Sequence, residues 1–306
     1  MPAPLLAGAA LERIFPDARP AASAPARADG DFALFSHGDG DDLIGCARVP
    51  AGRDLADAAH RIYRRLFGHA AGLHLHRIWN YVPRINEPSP GNGEENYREF
   101  CRGRSLAFEQ AFGRDFARAL PAASAVGCEG AELALVFVAG KTAPRHVENP
   151  AQIPAYEYPA DYGPRAPGFA RATIVPDGAG GAGEARCVFI SGTAAIKGHA
   201  TVAPGRLVRQ IECTLDNLRL ISRACGAGDD LGAGGAPGRW RRHFKIYLRR
   251  AADLEEARLA LHGTLLRADD VVTWLRADIC RAALGIEIEA TLIRARPAAK
   301  RRKGFA

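Results

Sequence analysis

The stretch Ile286-Glu287-Ile288-Glu289-Ala290-Thr291-Leu292-Ile293-Arg294 decides how the rest of the chain is read. Glu287 alternates with Ile286 and Ile288, and on a strand it points to one face together with Glu289 and Thr291. Taken alone, the two glutamates read as an exposed polar face of a half-buried strand. Moving toward the N-terminus, 271–278 and 243–249 read as strands and 253–265 as a helix with Asp253 as its N-cap candidate. The segment 226–238 is a glycine-rich loop. Leu207, Ile211, Leu215 and Leu218 form one stripe of a helix over 205–225, and 186–190 is a further strand.

The first half repeats this alternation less cleanly. Strands are expected over 32–35 and 43–49, separated by turn residues. In a helix over 54–67, Leu55, Ala58, Ile62 and Leu66 recur at helical spacing. A strand at 73–82, a proline-bearing loop at 83–92, a helix at 96–112 and a buried strand at 131–139 follow. The stretch 142–167, rich in proline and tyrosine, is too irregular for an element and too aromatic for a linker; loops of that length tend to be functional. The pattern predicts an α+β fold, sheets with helices packed on one face, in two related halves without a detectable sequence repeat. The expected divisions are a loose lead-in (1–30), an N-terminal domain (31–150), a C-terminal domain (151–297) and a basic tail (298–306).

Of the 306 residues, 47% are hydrophobic and 25% charged, an ordinary globular balance with enough length for two domains. The apolar runs are far shorter than the roughly 20 residues of a membrane span. The N-terminus has no basic start and soon meets Glu12, which argues against a secretory signal, so a cytoplasmic location is expected. Seven scattered cysteines without a CxxC pair read as free thiols. His74-Leu75-His76 is a strand alternation rather than a ligand set, so no metal is expected. The net charge of +7 is partly the solvated run Lys300-Arg301-Arg302-Lys303. A basic face interleaved with exposed aromatics is missing, which excludes nucleic acid as a partner. Surplus arginine suits a small anionic substrate, because a guanidinium meets a carboxylate with two parallel hydrogen bonds.

Three segments of the second half resemble the RidA (YjgF-like) superfamily: Phe189-Ile190-Ser191-Gly192-Thr193, Gln210 with Thr214-Leu215-Asp216-Asn217-Leu218, and Ile286-Glu287-Ile288-Glu289-Ala290. Imine-deaminating members place an arginine where this chain has Val272, which counts against that activity. The whole chain resembles a narrower family on the same fold, the chorismatases. Four blocks carry this resemblance. They are His76-Arg77-Ile78-Trp79-Asn80-Tyr81-Val82-Pro83, Asn96-Tyr97-Arg98-Glu99-Phe100-Cys101-Arg102-Gly103-Arg104, Tyr158-Pro159-Ala160-Asp161-Tyr162-Gly163-Pro164-Arg165 continuing to Phe169-Ala170-Arg171-Ala172, and Ile190-Ser191-Gly192-Thr193-Ala194-Ala195 with Gly198-His199.

The resemblance implies a cofactor-free enzyme that cleaves chorismate to pyruvate. Chorismate is a dianion, so a site must supply two fixed cations and hydroxyl donors. The matching positions are two Tyr/Arg pairs, Tyr97 with Arg104 and Tyr158 with Arg171. Glu287 becomes the acid/base, since a partly buried carboxyl with a raised pKa moves protons near neutrality; Glu289 is left an unassigned neighbour. Hydrolytic members carry alanine at the position of Gly192 and a small nonthiol residue at that of Cys280. The pattern here is that of the 3-hydroxybenzoate-forming members, in which the ring C4 hydroxyl displaces pyruvate and Cys280 lies beside the ring as thiol or thiolate. Release of 4-hydroxybenzoate as well, a hydrolase making a dihydroxycyclohexadiene carboxylate, a RidA-like deaminase and a noncatalytic binding module are the alternatives. Both a monomer and a homotrimer are compatible with the sequence.

Overall fold

The computed structural model describes residues 5–8, 27–37, 41–178, 183–233 and 239–295. The basic tail read at 298–306 and part of the glycine-rich loop lie outside them. In chain order the strands and helices are β1 (Leu5–Gly8), β2 (Arg27–Asp29), β3 (Phe32–His37), β4 (Asp42–Pro50), α1 (Leu55–His69), β5 (His74–Pro83), α2 (Asn96–Phe112), β6 (Ala122–Cys128), β7 (Glu132–Gly140), β8 (Arg145–Val147), β9 (Ala172–Pro176), β10 (Ala185–Thr193), β11 (Ile196–Lys197), β12 (Ala200–Thr201), α3 (Leu207–Ala224), β13 (Trp240–Leu248), α4 (Leu254–Leu261), β14 (Val271–Arg276) and β15 (Ile286–Arg294).

The first sheet runs β2-β3-β4-β7-β5-β6 and the second β1-β14-β13-β15-β10-β9-β8. Matching β3, β4, α1, β5, α2, β6, β7 to β9, β10, α3, β13, α4, β14, β15 brings the two orders into coincidence. The single parallel pair of each also matches, β5 with β6 and β13 with β14. The halves are therefore related in topology. Each sheet buries one face against its own helices. Ile62, Tyr63 and Leu66 of α1 share one apolar cluster with Ile78 and Phe137 of the first sheet, and Ile211, Leu215 and Leu218 of α3 share another with Ile288 and Leu292 of the second. A third cluster, with Trp79, Tyr81, Phe189 and Tyr247, fills the seam between the two sheets. The layers run helix, sheet, sheet, helix.

That layering corrects the reading of β15 as half exposed. Its polar face looks across the seam, and Glu287 and Glu289 are only 3% and 4% exposed. Strands β6, β8 and β9 carry no clear signal in the sequence. The first consists largely of small residues that leave no periodic pattern. It is nonetheless secured from the second half, where Thr173 Oγ1 and Ser191 Oγ accept from the backbone N–H groups of Ala122 and Ala123 at 2.7 and 2.9 Å. Helix α4 stops at Leu261, short of 265; Asp253 is its N-cap residue but makes no capping hydrogen bond with its side chain, which pairs with Arg250.

Candidate active site

All seven residues singled out in the sequence line one cavity of about 280 Å³ between the halves, near the small end of ligand pockets. Tyr97 and Arg104 come from α2, Tyr158 and Arg171 from the connection between β8 and β9, and Cys280 from the loop between β14 and β15. Gly192 sits where β10 shifts register between Ile190 and Thr193. A Cβ there would overlap Glu287 Oε1 and stand 3.1 Å from Ser124 Cβ, so the position is closed to any side chain while the carboxyl stays in place.

Only one of the two Tyr/Arg pairs is a direct contact. Arg171 Nη2 donates to Tyr158 Oη at 2.9 Å. Arg104 Nε instead donates at 2.8 Å to Tyr63 Oη, from α1, and Tyr97 hydrogen-bonds with Cys101. Tyr97 and Arg104 are two helical turns apart, a rise of roughly 10 Å, which places both on the cavity side but out of reach of each other. Each arginine keeps one buried nitrogen that makes no hydrogen bond, Nη2 of Arg104 and Nε of Arg171, the latter facing Glu148 Oε2 at 4.0 Å.

Burial, assisted by the negative charge of Glu289, raises the Glu287 carboxyl to about 8, against the opposing pull of Arg77 and Arg171. It therefore carries its proton at neutral pH. Burial first, and the neighbouring Glu287 second, push the Cys280 thiol up to about 12, so it stands in the cavity as a thiol and not as a thiolate. Among the described residues, no group of three or more His, Cys, Asp or Glu could hold a metal ion, and no helix is long and apolar enough to cross a membrane.

Several site residues are not marked by the sequence. Tyr63 is hidden in an apolar helix stripe, and Ser124 in a run of alanines. Arg281 follows Cys280; it donates to the His199 carbonyl at 2.7 Å and lies 4.4 Å over the Tyr162 ring, closing one wall. Arg77 and Trp79 stand in a quoted motif, on the strand face that meets Glu289.

Two halves of one topology enclosing an arginine-walled cavity with a proton-bearing carboxyl define a class of site. Comparison with known proteins narrows it. Residues 17–139 match the family model described as chorismatase FkbO/Hyg5-like, N-terminal. A 3-hydroxybenzoate synthase of Streptomyces hygroscopicus is 36% identical over 281 residues, covering 86% of this chain and 77% of the relative. A chorismatase of Streptomyces rapamycinicus is 38% identical over 258 residues, 81% of this chain and 74% of its own. The crystal structure of a chorismatase superposes with a TM-score of 0.74 at 34% identity, over 86% of this chain and 78% of that one. The chain belongs to the chorismatase family.

Proposed function

We propose that the protein cleaves chorismate to pyruvate and forms 3-hydroxybenzoate. The observation that carries this reading is a proton-bearing Glu287 in a cavity walled by two arginines, of which Arg104 keeps a buried N–H that makes no hydrogen bond. Arg104 and Arg171, with the hydroxyls of Tyr97 and Tyr158, bind the two carboxylates. Glu287 gives its proton to the enol-ether methylene. The C3–O bond then breaks, its electron pair forming the carbonyl of pyruvate, as the ring C4 oxygen attacks C3. The hydroxyl proton passes to the Glu287 carboxylate, restoring the acid, and the arene oxide isomerises to the phenol.

Gly192 and Cys280 favour this internal displacement over attack by water. The Glu287 carboxyl occupies the space that an alanine at 192 would fill, and the Cys280 thiol borders the same cavity. Val272 lies on β14, packed against the helix-side core, and supplies no charge for imine chemistry. The test is to incubate the purified protein with chorismate, follow pyruvate and separate the ring products. Pyruvate with 3-hydroxybenzoate is expected. Absence of pyruvate above background refutes the reading, and pyruvate with a cyclohexadiene diol makes the protein a hydrolase. Cys280→Ala should slow or redirect aromatic product formation; unchanged rate and product ratio would reduce the thiol to packing.

A further inference from the structure

Glu289 takes no part in the reaction just described, yet it is as buried as Glu287 and leaves β15 on the same face. Its carboxylate is fully engaged. Trp79 Nε1 donates to Oε1 at 2.5 Å, while Arg77 Nη2 and Ser124 Oγ donate to Oε2 at 2.6 and 2.7 Å. Arg77 also donates to Ser124 Oγ at 2.9 Å, and the Lys245 ammonium lies 4.6 Å over the Trp79 ring. Three donors, one of them a cation, are the complement of a carboxylate. The end of this network nearest the chemistry is Ser124, which lines the cavity and flanks Gly192 opposite Glu287.

We propose that Glu289 is a positioning residue: a carboxylate, clamped by Trp79, Arg77 and Ser124, that holds Glu287 in the form the reaction needs. This rests on the reading of Glu287 as the acid. The two carboxyls are two residues apart on one strand, roughly 7 Å between Cα atoms. In a water-poor seam, two such charges repel strongly. The carboxyl with three donors keeps its charge and its neighbour keeps its proton. The groups facing Glu287 are Arg77 from β5, Ser124 from β6, Tyr247 opposite it on β13, Arg171 and Cys280. Arg77 and Arg171 favour ionisation; burial and Glu289 outweigh them. All three donors to Glu289 come from the first half and both glutamates from the second, so the acid is set only when the halves are docked.

The test is the pH profile of kcat. Glu287 acts in its protonated form, so the rate falls as pH rises through its titration. Glu289→Gln removes the negative charge and leaves Arg77 uncompensated, and both changes favour ionised Glu287. The basic limb should move down by about one unit or more, costing about fivefold or more at pH near 8 and far less at pH near 6. Glu289→Asp keeps the charge and should leave the limb in place. A uniformly slower Glu289→Gln enzyme with an unmoved limb would overturn the proposal. Should that variant not fold, infrared spectra of the wild type and Glu287→Gln at neutral pH decide. Both are compared in a Glu148→Gln background, because burial raises the Glu148 carboxyl to about 7 as well; there one buried carboxylic-acid band, lost in Glu287→Gln, is expected, and an acid band surviving that loss would place a proton on Glu289 and overturn the proposal. This readout needs no chorismate. A wild type that shows the band but releases no pyruvate sinks the functional reading and leaves the charge arrangement standing.

Discussion

At Gly192 a single methyl would act directly on the acid. Its Cβ would overlap Glu287 Oε1 and press on Ser124, so Gly192→Ala must displace the carboxyl. A displacement of about 1 Å in a reacting group costs on the order of 100-fold in rate. We expect Gly192→Ala to lose about that much 3-hydroxybenzoate formation, with the remaining product shifted toward the diol. An alanine variant with the wild-type rate and product would show that Glu287 is not held where it acts. At this scale the sequence is partly legible. Motif blocks bring Tyr97, Arg104, Tyr158, Arg171, Gly192, Cys280 and Glu287 to one cavity, but Tyr63 as the partner of Arg104 is not visible, because it depends on two helices packing side by side. The burial of Glu287 is equally hidden, since a strand's alternation says which residues share a face and not what covers that face.

Among the elements, the loop between β14 and β15 carries Cys280 and Arg281 without regular structure of its own. Arg249, just past β13, organises it. Its Nε donates to the Leu284 carbonyl at 2.7 Å, Nη1 to Asp278 Oδ1 at 2.9 Å, and Nη2 to the carbonyls of Arg281 and Ile279 at 2.9 and 3.2 Å; Asn86 Oδ1, from the first half, accepts as well. Lysine cannot span these acceptors, because it lacks the planar fork. Arg249→Lys should destabilise the protein by about 1–3 kcal/mol in denaturant titrations and lower kcat at least about tenfold by loosening Cys280. Wild-type turnover would mean that the loop holds its shape without the fork. The extents of α2 and β15 are readable from sequence because local periodicity fixes them. Strands β6 and β9 are not, because their partners lie far along the chain or their own residues are small or follow an irregular loop.

At the scale of the molecule, the duplication survives as topology and not as residues. On β7, the counterpart of β15, the seam-facing residues Ala134, Val136 and Val138 are apolar, whereas β15 turns Glu287 and Glu289 to the seam, so the pair of halves makes one acid site. That loss of residue similarity is why no repeat can be read. The seam is tied by charge as well as by its apolar cluster. Arg186 of β10 donates through both terminal nitrogens to the buried Asp42 of β4, at 2.8 and 3.1 Å. Arg186→Met should cost about 3 kcal/mol by leaving Asp42 uncompensated, and adding Asp42→Asn should recover much of that loss. Two separate unfolding transitions in the wild type would contradict a seam that couples the halves. The central claim is that this seam builds one carboxylic acid that protonates bound chorismate. Its most direct measurement is Glu287→Gln, with chorismate binding followed by calorimetry and pyruvate release followed in parallel. Binding within a few-fold of wild type is expected, with pyruvate release lower by about 1,000-fold or more; pyruvate release at a rate near that of the wild type would show that Glu287 is not the acid.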